Sequence, residues 1–178
     1  MKKYEILYDN KIELLRHTLY RIRACKNFGN VKAGDLGGYI EKPENLSQYG
    51  DCWVYDNAWV YDEACIRDNA RVCGTARVSG NACVYGDAQV YDNARVYGNA
   101  QISKDNDVLY IAPIGSRDDA TTFFKTKDNN ICVTCGCFYG TIDEFLERVS
   151  ETHGENKHAK AYKLACMLAR VQIELEDI

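Results

Sequence analysis

The residues best suited to binding are arginines and aromatic residues that recur 18 positions apart. Trp59, Arg77 and Arg95 have this spacing, and Tyr97 follows Arg95 by two residues. Guanidinium groups bind anions and aromatic rings supply apolar contact area, so both residue types are enriched at binding surfaces. We predict that these four residues form one basic and aromatic face. The alternative is a solvated sheet surface on which the same side chains merely stack.

A second candidate for anion binding is the turn Gly115-Ser116-Arg117. Backbone N–H groups, a hydroxyl and a guanidinium can converge on a phosphate at such a turn. An ordinary polar connection between strands explains the same residues equally well. Arg21 and Arg23 alternate with apolar residues in a predicted strand, which exposes them. We therefore include both as ligand-binding candidates. They could contribute either to the Gly115-Ser116-Arg117 turn or to the face that contains Arg77 and Arg95.

Three closely spaced cysteines raise the question of a metal site. Cys132, Cys135 and Cys137 could bind zinc if His153 or Cys166 completed the ligand set. Structural zinc sites normally combine two such groups of cysteines and this sequence has one, so we predict no metal. A strand whose cysteines alternate between core and surface is the simpler interpretation. A nucleophilic Cys135 with His153 is weaker still, because nothing in the sequence brings the two together.

A six-residue repeat determines the elements that must position these side chains. Each repeat contains an alanine, an aliphatic residue two positions later, and a turn pair such as Gly80-Asn81 or Asp92-Asn93. The alanines are Ala58, Ala64, Ala70, Ala76, Ala82, Ala88, Ala94 and Ala100. Six is not a helical period, and alternation places both residues of a repeat on the same side of a short strand. Three repeats closing a coil of about 18 residues would bury them in an interior one side chain wide.

This pattern resembles that of hexapeptide-repeat left-handed β-helix proteins, in which an aliphatic residue is followed four positions later by a small one, as Val78 is by Ala82. The resemblance covers about a third of the chain and implies a mainly β fold containing a left-handed parallel β-helix. It also implies assembly, because in this family three chains commonly pack side by side with ligands in the clefts between them. Many members are acyltransferases that use acetyl-CoA and a histidine base.

Histidine placement argues against transferring that activity. No histidine lies between Cys52 and Asp105, and the three in the sequence are His17, His153 and His158. A general base must come within hydrogen-bond reach of the acceptor, so a flanking segment would have to supply it. We predict a non-catalytic protein without a cofactor and keep a CoA-dependent acyltransferase as the alternative.

Segments on both sides of the repeat are expected to cap its open ends. We predict N-terminal strands within residues 1–39, the β-helix over 40–105 and an α+β domain over 106–178. The first predicted strands are Tyr4–Tyr8 and Leu19–Ala24, with Asp9-Asn10 as the turn between them.

The C-terminal domain is predicted to contain a β-hairpin and two helices. Strands are expected at Val108–Ile114, Thr121–Thr126 and Ile131–Phe138. A capping box of Thr141 and Glu144 begins the first helix, and Gly154 ends it. The last helix runs from about Asn156 to Leu175 and has two apolar stripes, one of which we expect to contact another subunit. This second stripe consists of Leu164, Leu168, Val171 and Leu175.

Over its whole length the chain also resembles uncharacterised proteins of bacterial phages and prophages. The similarity is carried by Leu19-Tyr20-Arg21-Ile22-Arg23-Ala24, by Ala-x-Val-Tyr-Gly-Asn repeats, by Gly115-Ser116-Arg117 and Gly136-Cys137-Phe138, and by Glu144-Phe145. This resemblance implies a phage context, and counter-defence is the role expected by analogy.

Composition narrows the classes of function further. A net charge of −4 and a pI of about 5.4 argue against bulk nucleic-acid binding. Apolar runs are short and the N-terminus lacks a signal-peptide core, so we expect no membrane segment, a bacterial cytoplasmic location and mostly reduced cysteines. These expectations describe a homo-oligomer, with a trimer favoured, that binds a host protein or sequesters a small anionic, nucleotide-like signal.

Overall fold

Three strands precede the repeat in the computed structural model, which describes residues 2–175. They are β1 (Tyr4–Leu14), β2 (His17–Ala24) and β3 (Leu36–Ile40). Nine two-residue strands follow, one in each hexad. They are β4 (Trp53–Val54), β5 (Trp59–Val60), β6 (Cys65–Ile66), β7 (Arg71–Val72), β8 (Arg77–Val78), β9 (Cys83–Val84), β10 (Gln89–Val90), β11 (Arg95–Val96) and β12 (Gln101–Ile102).

The short strands form a three-sided β-solenoid of about four turns. Each strand pairs in parallel with the strand three hexads away, so residues 18 apart are direct neighbours. The three faces have the orders β3-β5-β8-β11, β4-β7-β10 and β6-β9-β12. The predicted fold class, a mainly β protein with this solenoid and a C-terminal α+β region, is therefore confirmed.

The interior of the solenoid consists of the alanines and aliphatic residues of the repeat, all at most 1% exposed. Turn residues at the corners adopt positive φ, as Asp62 does at 56° and Gly80 does at 65°. At Gly80 an added Cβ would lie 2.9 Å from the backbone nitrogen of Gly98 one coil away. Glycine is therefore required there by backbone approach as well as by backbone angle.

The first strands extend one face of the solenoid. β1 and β2 form an antiparallel hairpin, β2 pairs with β3, and β3 starts the first coil because Ile40 lies beside Val60 in parallel register. The predicted turn at Asp9-Asn10 is wrong, since β1 continues to Leu14. These two residues lie in an irregular part of β1, where the register with β2 shifts between Leu7 and Lys11.

A cap of N-terminal residues covers the start of the solenoid. Trp53, which the repeat directs outward, is only 1% exposed because Tyr4 and Phe28 pack on it at ring-centroid distances of 6.1 and 5.3 Å. The Lys3 ammonium donates to the Cys52 carbonyl at 2.9 Å. Burial lowers the pKa of Lys3. The Cys52 carbonyl lies at the start of the solenoid, where no preceding coil supplies a backbone N–H, so the Lys3 ammonium provides its hydrogen-bond donor.

The C-terminal region contains a four-stranded antiparallel sheet and two helices. Its elements are β13 (Val108–Ile114), β14 (Asp119–Lys125), β15 (Ile131–Cys135), β16 (Phe138–Thr141), α1 (Ile142–His153) and α2 (Lys157–Gln172). The sheet separates two cores, because Phe124 packs into the solenoid interior while Phe123 packs against the helices. The Thr141–Glu144 capping box is confirmed, whereas α2 ends at Gln172 rather than at Leu175. None of the helices within residues 2–175 has the length and apolar character needed to cross a membrane.

Candidate functional site

An outward-facing row of arginines and aromatic residues crosses the sheet that contains β2, β3, β5, β8 and β11. Direct cross-strand partners run from Arg21 to Tyr39, Trp59, Arg77 and Arg95. We call this row the arginine–aromatic ladder. The prediction that Trp59, Arg77 and Arg95 share one face is confirmed, because the 18-residue coil places them side by side.

Two cation–π contacts order the ladder. The Arg77 guanidinium carbon lies 4.2 Å from the centre of the Trp59 ring, and that of Arg21 lies 4.9 Å from the Tyr39 ring. Arg21 also donates to the Asn57 side-chain oxygen at 3.1 Å. Among residues 2–175, Arg77 forms no ion pair with a carboxylate.

A groove of about 600 Å³ lies beside Arg77, where the turn of the β1–β2 hairpin projects over the ladder face. We call it the hairpin groove. It is lined by Leu14, Leu15, Arg16, His17, Tyr61 and Arg77. Two arginines, a histidine, a phenol and two leucines therefore line one space, and the Trp59 ring packs against the Arg77 guanidinium. Such a mixture suits a ligand with both negative charge and a flat apolar part.

The far end of the ladder is engaged by the C-terminal sheet. Arg95 donates from Nη1 to the Gly136 carbonyl at 3.4 Å, and the Tyr97 ring packs against the Tyr139 ring in a tilted arrangement, with 4.7 Å between ring centres. Burial raises the pKa of Tyr97, which keeps this phenol neutral. Of the four residues predicted for this face, Arg77 lines the hairpin groove and Trp59 contacts Arg77 from outside the lining. Arg95 and Tyr97 join the solenoid to the C-terminal region.

The two N-terminal arginine candidates have different surroundings. Arg21 belongs to the ladder, and its Nε is buried with no acceptor among residues 2–175. Arg23 instead donates from Nε to the Glu5 carboxylate at 2.8 Å, so its charge is neutralised within the hairpin. Arg21 is therefore the better placed of the two to contact an anion on the ladder face.

A smaller cavity of about 200 Å³ lies within the C-terminal region. Its polar lining consists of Ser116, Arg117, Asp119, Cys135, Cys137, Arg148, Thr152, His153 and Tyr162. The structure thus brings the Ser116–Arg117 turn together with Cys135 and His153, which sequence reasoning kept apart. Cys135 Sγ lies 3.7 Å from the Tyr162 hydroxyl, whose pKa is raised by burial. Arg148 was missed because its place in the cavity depends on how α1 packs.

The predicted cysteine cluster does not converge on one point. Cys132 joins the solenoid core, Cys166 joins the helix core, and Cys137 is exposed. All nine cysteines lie within residues 2–175, and none is in a disulfide there. Cys65 and Cys83, in register on another face, have sulfurs 3.1 Å apart. Two neighbouring thiols alone do not complete a metal site.

Within residues 2–175 one group of three residues has ligand atoms close enough to hold a metal ion. It consists of His17, Glu41 and Asp62, whose ligand atoms lie within 4.8 Å of one another. Sequence reasoning missed this group, because it forms only when the β1–β2 turn folds back onto the solenoid. Tyr39 was missed because the first coil is two residues longer than the others: the hexad spacing places Ile40 opposite Ala58, whereas Ile40 pairs with Val60 and Tyr39 pairs with Trp59, 20 residues away.

Comparison with known proteins supports the repeat architecture. Residues 88–104, which include β10 to β12, match the model of the YdcK beta solenoid repeat family. No curated protein matches the chain. The family match is short and concerns the repeat, so it carries information about the fold and none about a ligand.

Proposed function

We propose that this protein is a non-catalytic binding protein that sequesters a small, nucleotide-like anion in the hairpin groove. The observation that carries the proposal is the Arg77 guanidinium, which is stacked on Trp59 and has no carboxylate partner among residues 2–175. An arginine held flat on a ring presents its N–H groups in a fixed direction, which favours a phosphate or carboxylate. Arg16 lines the same groove and supplies a second positive charge.

The aromatic residues define the other half of the ligand. Tyr61 lines the groove, and the Trp59 ring lies 4.2 Å from the Arg77 guanidinium carbon. A planar base or ring can stack on such residues at little entropic cost, because aromatic side chains have few rotatable bonds. A nucleotide-like ligand meets both requirements at once. Sequestration of such a signal needs no chemistry, which suits the counter-defence role that we propose from the resemblance to phage proteins.

The acyltransferase alternative needs a histidine nitrogen that faces an acceptor. His17 is the flanking histidine that reaches the groove, but its Nδ1 lies 2.9 Å from Glu41 Oε1 and its Nε2 lies 3.4 Å from Asp62 Oδ1. Both ring nitrogens are therefore directed at carboxylates. Acetyl-CoA is included in the binding test because it distinguishes this alternative from nucleotide capture.

A thermal-shift screen of mono-, di- and triphosphate nucleotides, cyclic nucleotides and acetyl-CoA tests the proposal. A ligand present at 100 times its Kd stabilises the native state by about 2.7 kcal/mol, which is readily measured. For each nucleotide that raises the midpoint, titration calorimetry then gives the Kd of the wild type and of Arg77→Ala. Loss of one charge-assisted hydrogen bond is expected to weaken binding about 10- to 100-fold.

Arg71→Ala is the matched control. Arg71 occupies the same hexad position one unit earlier, on a different face, and no carboxylate partner is found for it within residues 2–175 either. Its removal is expected to change the Kd less than about threefold, because it does not line the groove. Equal losses in the two variants, or an acetyl-CoA response without any nucleotide response, would overturn the proposal.

A further inference from the structure

The His17 ring lies between two carboxylates in an arrangement that a neutral imidazole cannot satisfy. Its Nδ1 lies 2.9 Å from Glu41 Oε1, and its Nε2 lies 3.4 Å from Asp62 Oδ1. A neutral imidazole has one N–H, so one of its nitrogens directs a lone pair at a carboxylate oxygen. The three side chains are only 26–36% exposed, so water screens this repulsion incompletely. Either a second ring proton or a metal cation between Nε2 and Asp62 Oδ1 removes it, and the geometry of the two contacts bears on which.

The two distances from the His17 ring suggest different roles for the two carboxylates: Glu41 as a hydrogen-bond acceptor that supports the ring, and Asp62 as a second ligand to a metal. The 2.9 Å distance to Glu41 is that of a hydrogen bond from Nδ1–H, whereas 3.4 Å to Asp62 is longer than a good N–H···O bond. Zinc bonds nitrogen and oxygen at about 2.0–2.1 Å in a tetrahedron, whose ligand atoms are then roughly 3.3–3.4 Å apart. Nε2 and Asp62 Oδ1 already have that separation.

Backbone hydrogen bonds hold both carboxylates in place. Glu41 Oε2 accepts the Asp62 backbone N–H at 2.7 Å, and Asp62 Oδ2 accepts the Gly80 N–H at 3.0 Å. Each carboxylate thus uses one oxygen for the fold and directs the other at His17. Asp56 and Asp68 make the equivalent bonds to the next coil at 2.9 and 3.2 Å, but neither faces a histidine. The contact between Asp62 and His17 is therefore not needed to form this type of turn.

We propose that His17 Nε2 and Asp62 Oδ1 bind a zinc ion at the edge of the hairpin groove, with Glu41 orienting the ring through Nδ1–H. A carboxylate behind a ligating histidine fixes its tautomer and raises its basicity. The imidazole selects a borderline divalent ion such as Zn²⁺ over Mg²⁺ or Ca²⁺, which prefer oxygen ligands alone. The remaining coordination positions are available to water. The site is independent of the proposed anion, since zinc alone is the ligand.

Titration calorimetry with zinc chloride on tag-free protein, in a buffer without phosphate or chelators, tests this site. We expect one zinc site in the wild type that is lost in His17→Ala and in Asp62→Asn. Glu41→Gln is expected to weaken it about 10- to 100-fold, as removal of a supporting residue does. Asp68→Asn makes the same substitution at the equivalent coil-to-coil hydrogen bond, away from His17, and is expected to leave zinc affinity unchanged. Arg77→Ala should also retain zinc, which separates this site from the anion site.

Substitution with Co²⁺ checks that cysteines are not responsible. Coordination by histidine and carboxylate gives no intense thiolate charge-transfer band, whereas cysteine coordination does. Circular dichroism shows whether each variant is folded, and Asp62→Asn is compared directly with Asp68→Asn. Zinc binding that persists at wild-type affinity in His17→Ala, a thiolate band with Co²⁺, or the absence of zinc binding by the folded wild type would each overturn the proposal.

Discussion

Replacing Val78 by alanine tests the narrow interior on which every outward position depends. Val78 is 0% exposed and lies between its register partners Val60 and Val96 in the neighbouring coils. Two carbons are removed, which costs about 1.6 kcal/mol at about 0.8 kcal/mol per buried carbon. The coils are held apart by backbone hydrogen bonds, so a cavity of roughly 40 Å³ should persist and add about 1 kcal/mol. We expect a total loss of about 2.5 kcal/mol.

Urea unfolding gives this loss if the transition is cooperative. Far-ultraviolet circular dichroism and tryptophan fluorescence should give coincident curves in both proteins, since non-coincidence would show that a solenoid segment unfolds separately. With equal slopes, the shift in midpoint then reports the change in the free energy of unfolding.

Leu36→Ala is the control for Val78→Ala. It removes more carbon than the Val78 substitution, but Leu36 is 53% exposed, so we expect a loss of about 1 kcal/mol or less. A Val78→Ala loss below about 1 kcal/mol would mean that the coils close around the missing methyl groups. Equal losses at the two positions would refute the argument that burial in the solenoid interior determines the cost.

Two further predictions concern the helices. Hydrogen bonds from the Thr141 backbone N–H and hydroxyl hold the pKa of Glu144 below its usual range, so this stabilisation is present above the unfolded-state pKa and is lost as pH falls through the folded-state value. Acid titration of stability should therefore be flatter in Glu144→Gln, and identical curves would contradict the role of the capping box. Leu164, Leu168 and Val171 are exposed on α2, and their spacing of four and three residues places them on one side of the helix. We expect this side to contact another subunit, so light scattering should show an oligomer for the wild type and a monomer for Leu168→Glu. A wild-type monomer at micromolar concentration would contradict this expectation.

The repeat could be read in detail from sequence because one short-range rule governs it. Alanine and an aliphatic residue in each hexad must share the interior, and three hexads make one coil, so Arg77 and Arg95 had to be neighbours. The helix cap at Thr141 was predictable for a similar reason, since the residues that satisfy the free N–H groups are three positions apart.

Features that depend on contacts between distant segments could not be predicted in the same way. Nothing local shows that β1 continues past Asp9-Asn10, or that its turn returns His17 to the solenoid face. β16 was merged with β15 in the prediction, because the Gly136-Cys137 turn lies within an otherwise strand-like run. Ser116 and His153 reach the same cavity only through packing of the helices on the sheet.

The most direct test of ligand capture at the ladder uses the two tryptophans as internal reporters. Trp59 lies under Arg77 beside the hairpin groove, whereas Trp53 is 1% exposed beneath the N-terminal cap. With both replaced by 5-fluorotryptophan, fluorine NMR gives two resonances, which Trp59→Phe assigns. A nucleotide that binds by calorimetry should shift the Trp59 resonance saturably and leave that of Trp53 in place, and in Arg77→Ala the same shift should require a nucleotide concentration about 10- to 100-fold higher. Binding that leaves the Trp59 resonance unchanged would contradict the proposed site.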